Sequence, residues 1–163
     1  MKHFLFFIAT LISGQTFAQL TANVNWTEQT SLPAAEVFYY NPAKKLTWDN
    51  FRGTAPSANS QVAALTVSGF GYNASVRTVN GKGQLNVNVY CYFSKEKSWV
   101  RPGKNTAYIL LHEQHHFDIS YLGALDFMER LKQIKFTVKN YNEKLVPIEE
   151  VTDYVSVRGF IGK

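Results

Sequence analysis

Leu110-Leu111-His112-Glu113-Gln114-His115-His116-Phe117-Asp118 is an apolar run broken by a polar cluster, and it contains the pattern His-Glu-x-x-His. On an α-helix each residue turns about 100° and rises about 1.5 Å, so His112 and His116 stand about 40° and one turn apart. Both imidazoles then reach a single ion. Zinc takes neutral histidine nitrogens at about 2.0–2.1 Å, and a catalytic zinc keeps a third protein ligand and a water that it makes more acidic. Glu113, next to the first ligand, is placed to take that water's proton, which is the metalloprotease reading of the motif. The competing reading is a satisfied structural histidine pair, since short patterns recur by chance and three of the chain's four histidines fall here. Ile109, Leu110, Leu111, Phe117 and Ile119 surround the motif and argue against a surface cluster. Polar groups set among apolar ones need partners, and an ion is one. The expectation is a metal site with His112 and His116 as ligands and Glu113 as base. His115 lies about 60° from His112 on the helical wheel and Asp118 about 120° off the ligand face. Both are read as outer-shell groups, with Asp118 able to hold a histidine ring.

The surrounding sequence supplies a frame. From Thr106 to about Lys139 there is no proline and one glycine, Gly123, which predicts one long helix or two abutting ones, with Asn105 as N-cap. Its first half is apolar on nearly all sides, as in a helix at the centre of a fold. Upstream, Gly83 to Phe93 alternates Leu85, Val87, Val89, Cys91 and Phe93 with Asn86, Asn88, Tyr90 and Tyr92, the signature of a strand with one buried face. Asn80-Gly81 is a hairpin signal. Val62 to Val79 suits strands with a bend or bulge at Gly69 and Gly71. Ala35 to Tyr40 reads as a first strand, and Gln19 to Leu32 as an extended lead-in without a clear period. Within Leu46 to Gly53, Trp48 and Phe51 suggest an aromatic plug, with Asp49 capping a short helical turn. The predicted fold is α+β, a single domain whose mostly antiparallel sheet packs on one long helix bearing the motif.

Composition narrows the setting. Lys2 and His3 precede an apolar run from Phe4 to Ile12, and Thr16-Phe17-Ala18 has the form of a cleavage site, so residues 1–18 read as a signal peptide. The run is too short to span a bilayer, and no other membrane segment is expected once it is removed. The expectation is export to a periplasm or the medium, with residues 19–163 as the working domain. Without Lys2, 16 basic residues face 12 acids, a net charge of +4. The basic residues are scattered, which leaves no footprint for nucleic acid. Cys91, the single cysteine, falls on the apolar face of its strand and reads as a small buried hydrophobe.

Three segments occur in a telling order: Leu46-Thr47-Trp48-Asp49-Asn50-Phe51-Arg52-Gly53, then Ser98-Trp99-Val100, then Leu111-His112-Glu113-Gln114-His115-His116-Phe117-Asp118-Ile119. Together they cover roughly Lys45 to Arg130, and the chain there resembles a domain-of-unknown-function family of predicted secreted bacterial zinc-dependent proteases. The resemblance implies a zincin-like domain, zinc as cofactor, His112 and His116 as ligands, and Glu113 as base. It does not extend to Tyr141 to Lys163, which lacks the family's Tyr-Asp and Thr-His pattern. Zincins often draw the third ligand from an acid on a following segment. Glu129, Glu143, Glu149, Glu150 and Asp153 are available, and Glu143 is preferred because it follows a reversal near Asn140. The functional expectation is a secreted zinc-dependent hydrolase acting on a peptide or protein. The alternative is a non-catalytic exported binding or structural module that keeps the zincin frame, with zinc as a staple.

Overall fold

The computed structural model describes residues 19–57, 61–80 and 82–145. In chain order these form β1 (Thr21–Trp26), β2 (Val37–Tyr39), a 3-10 turn (Trp48–Asn50), β3 (Ala64–Leu65), β4 (Ser68–Val79), β5 (Lys82–Ser94), β6 (Trp99–Val100) and α1 (Ala107–Gln133). The architecture of the described residues is α+β, with a four-stranded sheet, a separate two-stranded pair and one long helix. The predicted signal peptide, together with Glu149, Glu150 and Asp153, falls outside the described residues.

Strand β5 organises the sheet. Its alternation puts Leu85, Val87, Val89, Cys91 and Phe93 at 0% exposure, which is how an apolar residue at every second position acts on a pleated strand. Along one edge it pairs antiparallel with β4 over the whole length, from Ser68↔Phe93 to Val79↔Lys82. A two-residue loop closes this hairpin with Asn80 at φ +50°, the conformation that asparagine tolerates in such turns. Along the other edge β1 runs parallel (Thr21↔Gln84 to Trp26↔Val89) and β2 antiparallel (Val37↔Ser94 to Tyr39↔Tyr92), one after the other. The short β3 and β6 pair separately, Ala64 opposite Val100 and Leu65 opposite Trp99.

Three expectations change here. The lead-in is partly a strand, because Ala22, Val24 and Trp26 alternate with Asn23 and Asn25 and pack their face against the core. The register of β4 runs unbroken through Gly69 and Gly71, so neither marks a bulge. Gly71 instead lies under the ring of Tyr90, where an added Cβ would stand 2.8 Å from the tyrosine hydroxyl. Helix α1 also covers only one face of the sheet. Phe117, Ala124, Phe127, Met128 and Leu131 are buried, whereas Tyr108, Leu111 and Ile119 are exposed, so the first half is not surrounded by the fold.

The helix starts one residue later than expected, capped by Thr106, whose Oγ1 accepts from the Ile109 N–H at 3.3 Å. It ends at Gln133, short of Lys139, after which the chain turns and Phe136 and Leu145 return to the core. The aromatic plug forms as read: Trp48 packs on Phe51 at 4.9 Å between ring centres, and Phe51 on Phe93 at 4.9 Å. Asn50 rather than Asp49 closes its turn, accepting from the Thr47 N–H at 2.8 Å. Gly53 then donates to the Ser98 carbonyl at 2.8 Å, and a Cβ there would lie 2.7 Å from the Glu96 carbonyl oxygen. The Trp48 and Trp99 segments thus meet through a backbone approach that only glycine permits.

Candidate metal centre

One turn of α1 brings His112 and His116 together as their spacing predicts. Their Nε2 atoms are 3.0 Å apart and hydrogen-bonded to one another, as in a mutually satisfied pair, with the rings nearly perpendicular at 86°. Two nitrogens held tetrahedrally at about 2.0–2.1 Å from one zinc would stand about 3.3 Å apart. The pair therefore needs only a few tenths of an ångström of opening to share an ion. Burial, the neighbouring His112 and then His115 hold the His116 pKa below its usual range, so its ring stays neutral, the form that ligates metals.

Glu113 points to the sheet side of the helix, where it is 2% exposed. Burial raises its pKa above the usual carboxylate range. The Thr66 hydroxyl, the charge of His112 and the Thr66 N–H act in the opposite sense. Thr66 also donates to the Glu113 carbonyl at 3.3 Å. Two side-chain atoms in this cluster, Glu113 Oε2 and His116 Nδ1, are buried with no hydrogen-bond partner among the described residues. Such atoms are uncommon in native proteins, and here both lie within one turn of the helix. An open cleft of about 230 Å³ adjoins them, lined by Ala63, Ala64, Thr106, Tyr108, Ile109, His112 and Glu113. Its walls are mostly apolar, with the His112 and Glu113 side chains at one side.

The other candidate residues are placed differently. His115 is exposed and borders a second depression with Lys45, Leu46 and Asp118. Asp118 is engaged by the Tyr40 hydroxyl at 2.9 Å and by Gln114 Nε2 at 2.7 Å. Gln114 Oε1 in turn accepts from the Leu46 N–H at 2.8 Å, so this network ties the helix to the segment before the aromatic plug. Glu129 is exposed and paired with Lys132 at 2.6 Å. Glu143 is exposed on a helical turn over residues 141–145. The carbonyl of Leu145, in that turn, accepts from Tyr72, whose ring packs against Phe127. Phe127 is eleven residues past His116, about 16 Å along the axis, so Glu143 is not brought to the histidine pair. Among the described residues no group of three His, Cys, Asp or Glu side chains converges on one point.

No protein-family model, curated protein or solved structure matches this chain. The site is therefore read from its own geometry. Residues that the motif could not reveal are Thr66, Gln114 and Tyr40. Gln114 carried a faint signal, a long polar side chain inside an apolar run. Thr66 and Tyr40 carried none, being 47 and 78 residues in sequence from their partners Glu113 and Asp118. No described helix is long and apolar enough to cross a membrane.

Proposed function

We propose that the protein is an exported zinc-dependent hydrolase with a zincin-like fold, acting on peptide bonds. The observation that carries this reading is the approach of the two Nε2 atoms to 3.0 Å beside the buried Glu113, a residue bordering a cleft. The donor set suits zinc: two imidazole nitrogens one helical turn apart. A zinc ion bound there supplies Lewis acidity toward a substrate carbonyl and lowers the pKa of water. The chain's own contribution is proton handling. Glu113 takes the proton of the attacking water on its carboxylate and returns it to the leaving amine. Its raised pKa suits a group that must both accept and release that proton. Thr66 holds this turn of the helix by donating to the Glu113 carbonyl at 3.3 Å, and the adjoining cleft is mostly apolar. The segment before the aromatic plug and α1 hold one another through Gln114, which keeps the helix turn bearing the ligands in place.

The test is metal content and turnover together. Protein purified without chelators should carry about one zinc per chain, and Glu113→Gln should keep the zinc while hydrolysis of a protein substrate falls to background. Hydrolysis retained in that variant sinks the mechanism. A second reading has one observation in its favour, the absence of a third converging ligand among the described residues. On that reading zinc is a staple in a binding module. Chelation would then lower the melting temperature of a protein that hydrolyses nothing.

A further inference from the structure

The sheet face turned away from α1 is made from the even-numbered positions of β5 and their neighbours. Tyr92 is flanked by Tyr39 and Gly69, Tyr90 by Gly71, and Asn88 by Asn25 and Asn73. The next row holds Asn86, whose Oδ1 accepts from Asn23 Nδ2 at 3.1 Å. The three tyrosine rings form one cluster, 6.4 Å between the centres of Tyr39 and Tyr90 and 6.1 Å between Tyr90 and Tyr92. Among the described residues α1 packs on the opposite face, so the cluster and the asparagine rows remain partly open to solvent.

We propose that this face binds a neutral polysaccharide, independently of any role for the histidine pair. Three features select that chemistry. From Asn86 to Tyr92 the face carries no formal charge on β5 or on the paired positions of β1, β2 and β4, although the whole chain is at +5. An anionic polymer would find nothing there to neutralise it. An apolar protein surface would bury the asparagine amides without partners, which costs free energy. A sugar ring meets both demands. Its C–H face stacks on an aromatic ring, and its hydroxyls pair with amides that donate and accept at once. The glycines belong to the same design. A side chain at Gly71 would collide with the Tyr90 ring, so glycine lets that ring lean across β4, edge-on to Tyr39 at 82° and tilted 40° from Tyr92. With about 3.3 Å per residue, Asn86 to Tyr92 spans about 20 Å, room for several linked sugar rings.

The experiment is affinity electrophoresis of the full chain through gels holding a neutral β-glucan, a neutral mannan, a polyanion (polygalacturonate) or gelatin. At least one neutral polymer should retard the protein. The retardation should survive about 1 M salt, where the Debye length is about 3 Å. The double variant Tyr90→Ala/Tyr92→Ala should weaken binding about tenfold or more, as truncating central aromatic anchors does. Tyr90→Phe should preserve it. Retardation only by the polyanion, only by gelatin, or by nothing in the set overturns the proposal, as does neutral-polymer binding that the folded double variant retains. Should that variant fail to fold, nitration of the wild-type chain decides. The retarding polymer should protect Tyr90 and Tyr92 while Tyr108, on the far side of the molecule and 77% exposed, reacts as before. Equal nitration of all three with and without polymer overturns it too.

Discussion

The two halves of α1 are built on opposite principles. From Tyr121 onward the buried residues are Ala124, Phe127, Met128 and Leu131, and the charged ones sit outside in ion pairs of their own, Arg130 with Asp126 and Lys132 with Glu129. From Ala107 to Ser120 the helix buries Glu113, Gln114 and Ser120 alongside Phe117, and it leaves two polar atoms without described partners. It also exposes Tyr108 and Leu111. Both halves expose large apolar side chains, Leu122 and Leu125 in the second as Tyr108, Leu111 and Ile119 in the first, but only the first half buries charged and polar ones. Violations of that kind cost stability and persist where they serve something else. On the proposed function, the second half holds the helix to the sheet while the first half carries the chemistry.

The sharpest break of this contrast comes from the packing half. Leu131 is 0% exposed, and Leu131→Ala should destabilise by about 2–5 kcal/mol, the range for truncating a buried leucine. Urea unfolding would measure it. Zinc stoichiometry of the folded fraction should not change, because the ligands lie more than three turns away. Next in size is Gln114→Ala in the other half. It strands the Leu46 N–H and removes one donor from Asp118, and leaving buried polar groups unmatched costs about 1–3 kcal/mol. Here the helix turn carrying the ligands should loosen as well. Zinc affinity is therefore expected to fall along with stability, which Leu131→Ala does not predict.

These two residues also show what the sequence could and could not disclose. The helix that carries Leu131 was legible as a long span without proline. So were the alternation of β5 and the pairing of His112 with His116, which depend only on local repeat geometry. Gln114 was legible as part of the helix but not as a bridge, because its partner Leu46 is 68 residues away. The same limit hid β1. Its Asn23 and Asn25 masked an alternation that becomes meaningful only once β5 offers an edge to pair with. The apolar surround of the first half misled for a related reason, as a wheel records which residues are apolar but not how many sides of the helix the fold covers.

A smaller effect, of opposite sign, is expected at Glu113. Burial holds its pKa above the ordinary 4.5, so the folded metal-free protein binds a proton there more readily than the unfolded chain does. The native state is then penalised as pH rises from the unfolded pKa through the folded one, and the penalty is complete above both. Glu113→Gln should therefore raise the melting temperature of chelated protein at neutral pH, by a stability on the order of 1 kcal/mol. The advantage should shrink as pH falls through the folded pKa toward 4.5 and be gone below it, where both states are protonated. Calorimetry of the chelated pair at two pH values would measure it. A variant no more stable than the parent at neutral pH would mean that the carboxylate is well accommodated, and the contrast between the halves would lose its main support.

The smallest effect belongs to the ion pairs on the outside of the packing half. Arg130 Nε stands 2.7 Å from Asp126 Oδ2, a good geometry, yet the two side chains are 74% and 63% exposed. Water and salt screen such a pair, and its two long side chains lose freedom to hold it. Exposed pairs four apart on a helix contribute about 0.3–0.5 kcal/mol. Asp126→Asn should accordingly shift the unfolding free energy by no more than about 0.5 kcal/mol, and less in high salt. This near-silence is informative because Asp126 lies on the same helical stripe as His112 and His116. If Asp126→Asn lowered zinc affinity at unchanged stability, the carboxylate would be acting on the ligands along the helix. The packing half would then belong to the site it appears only to support.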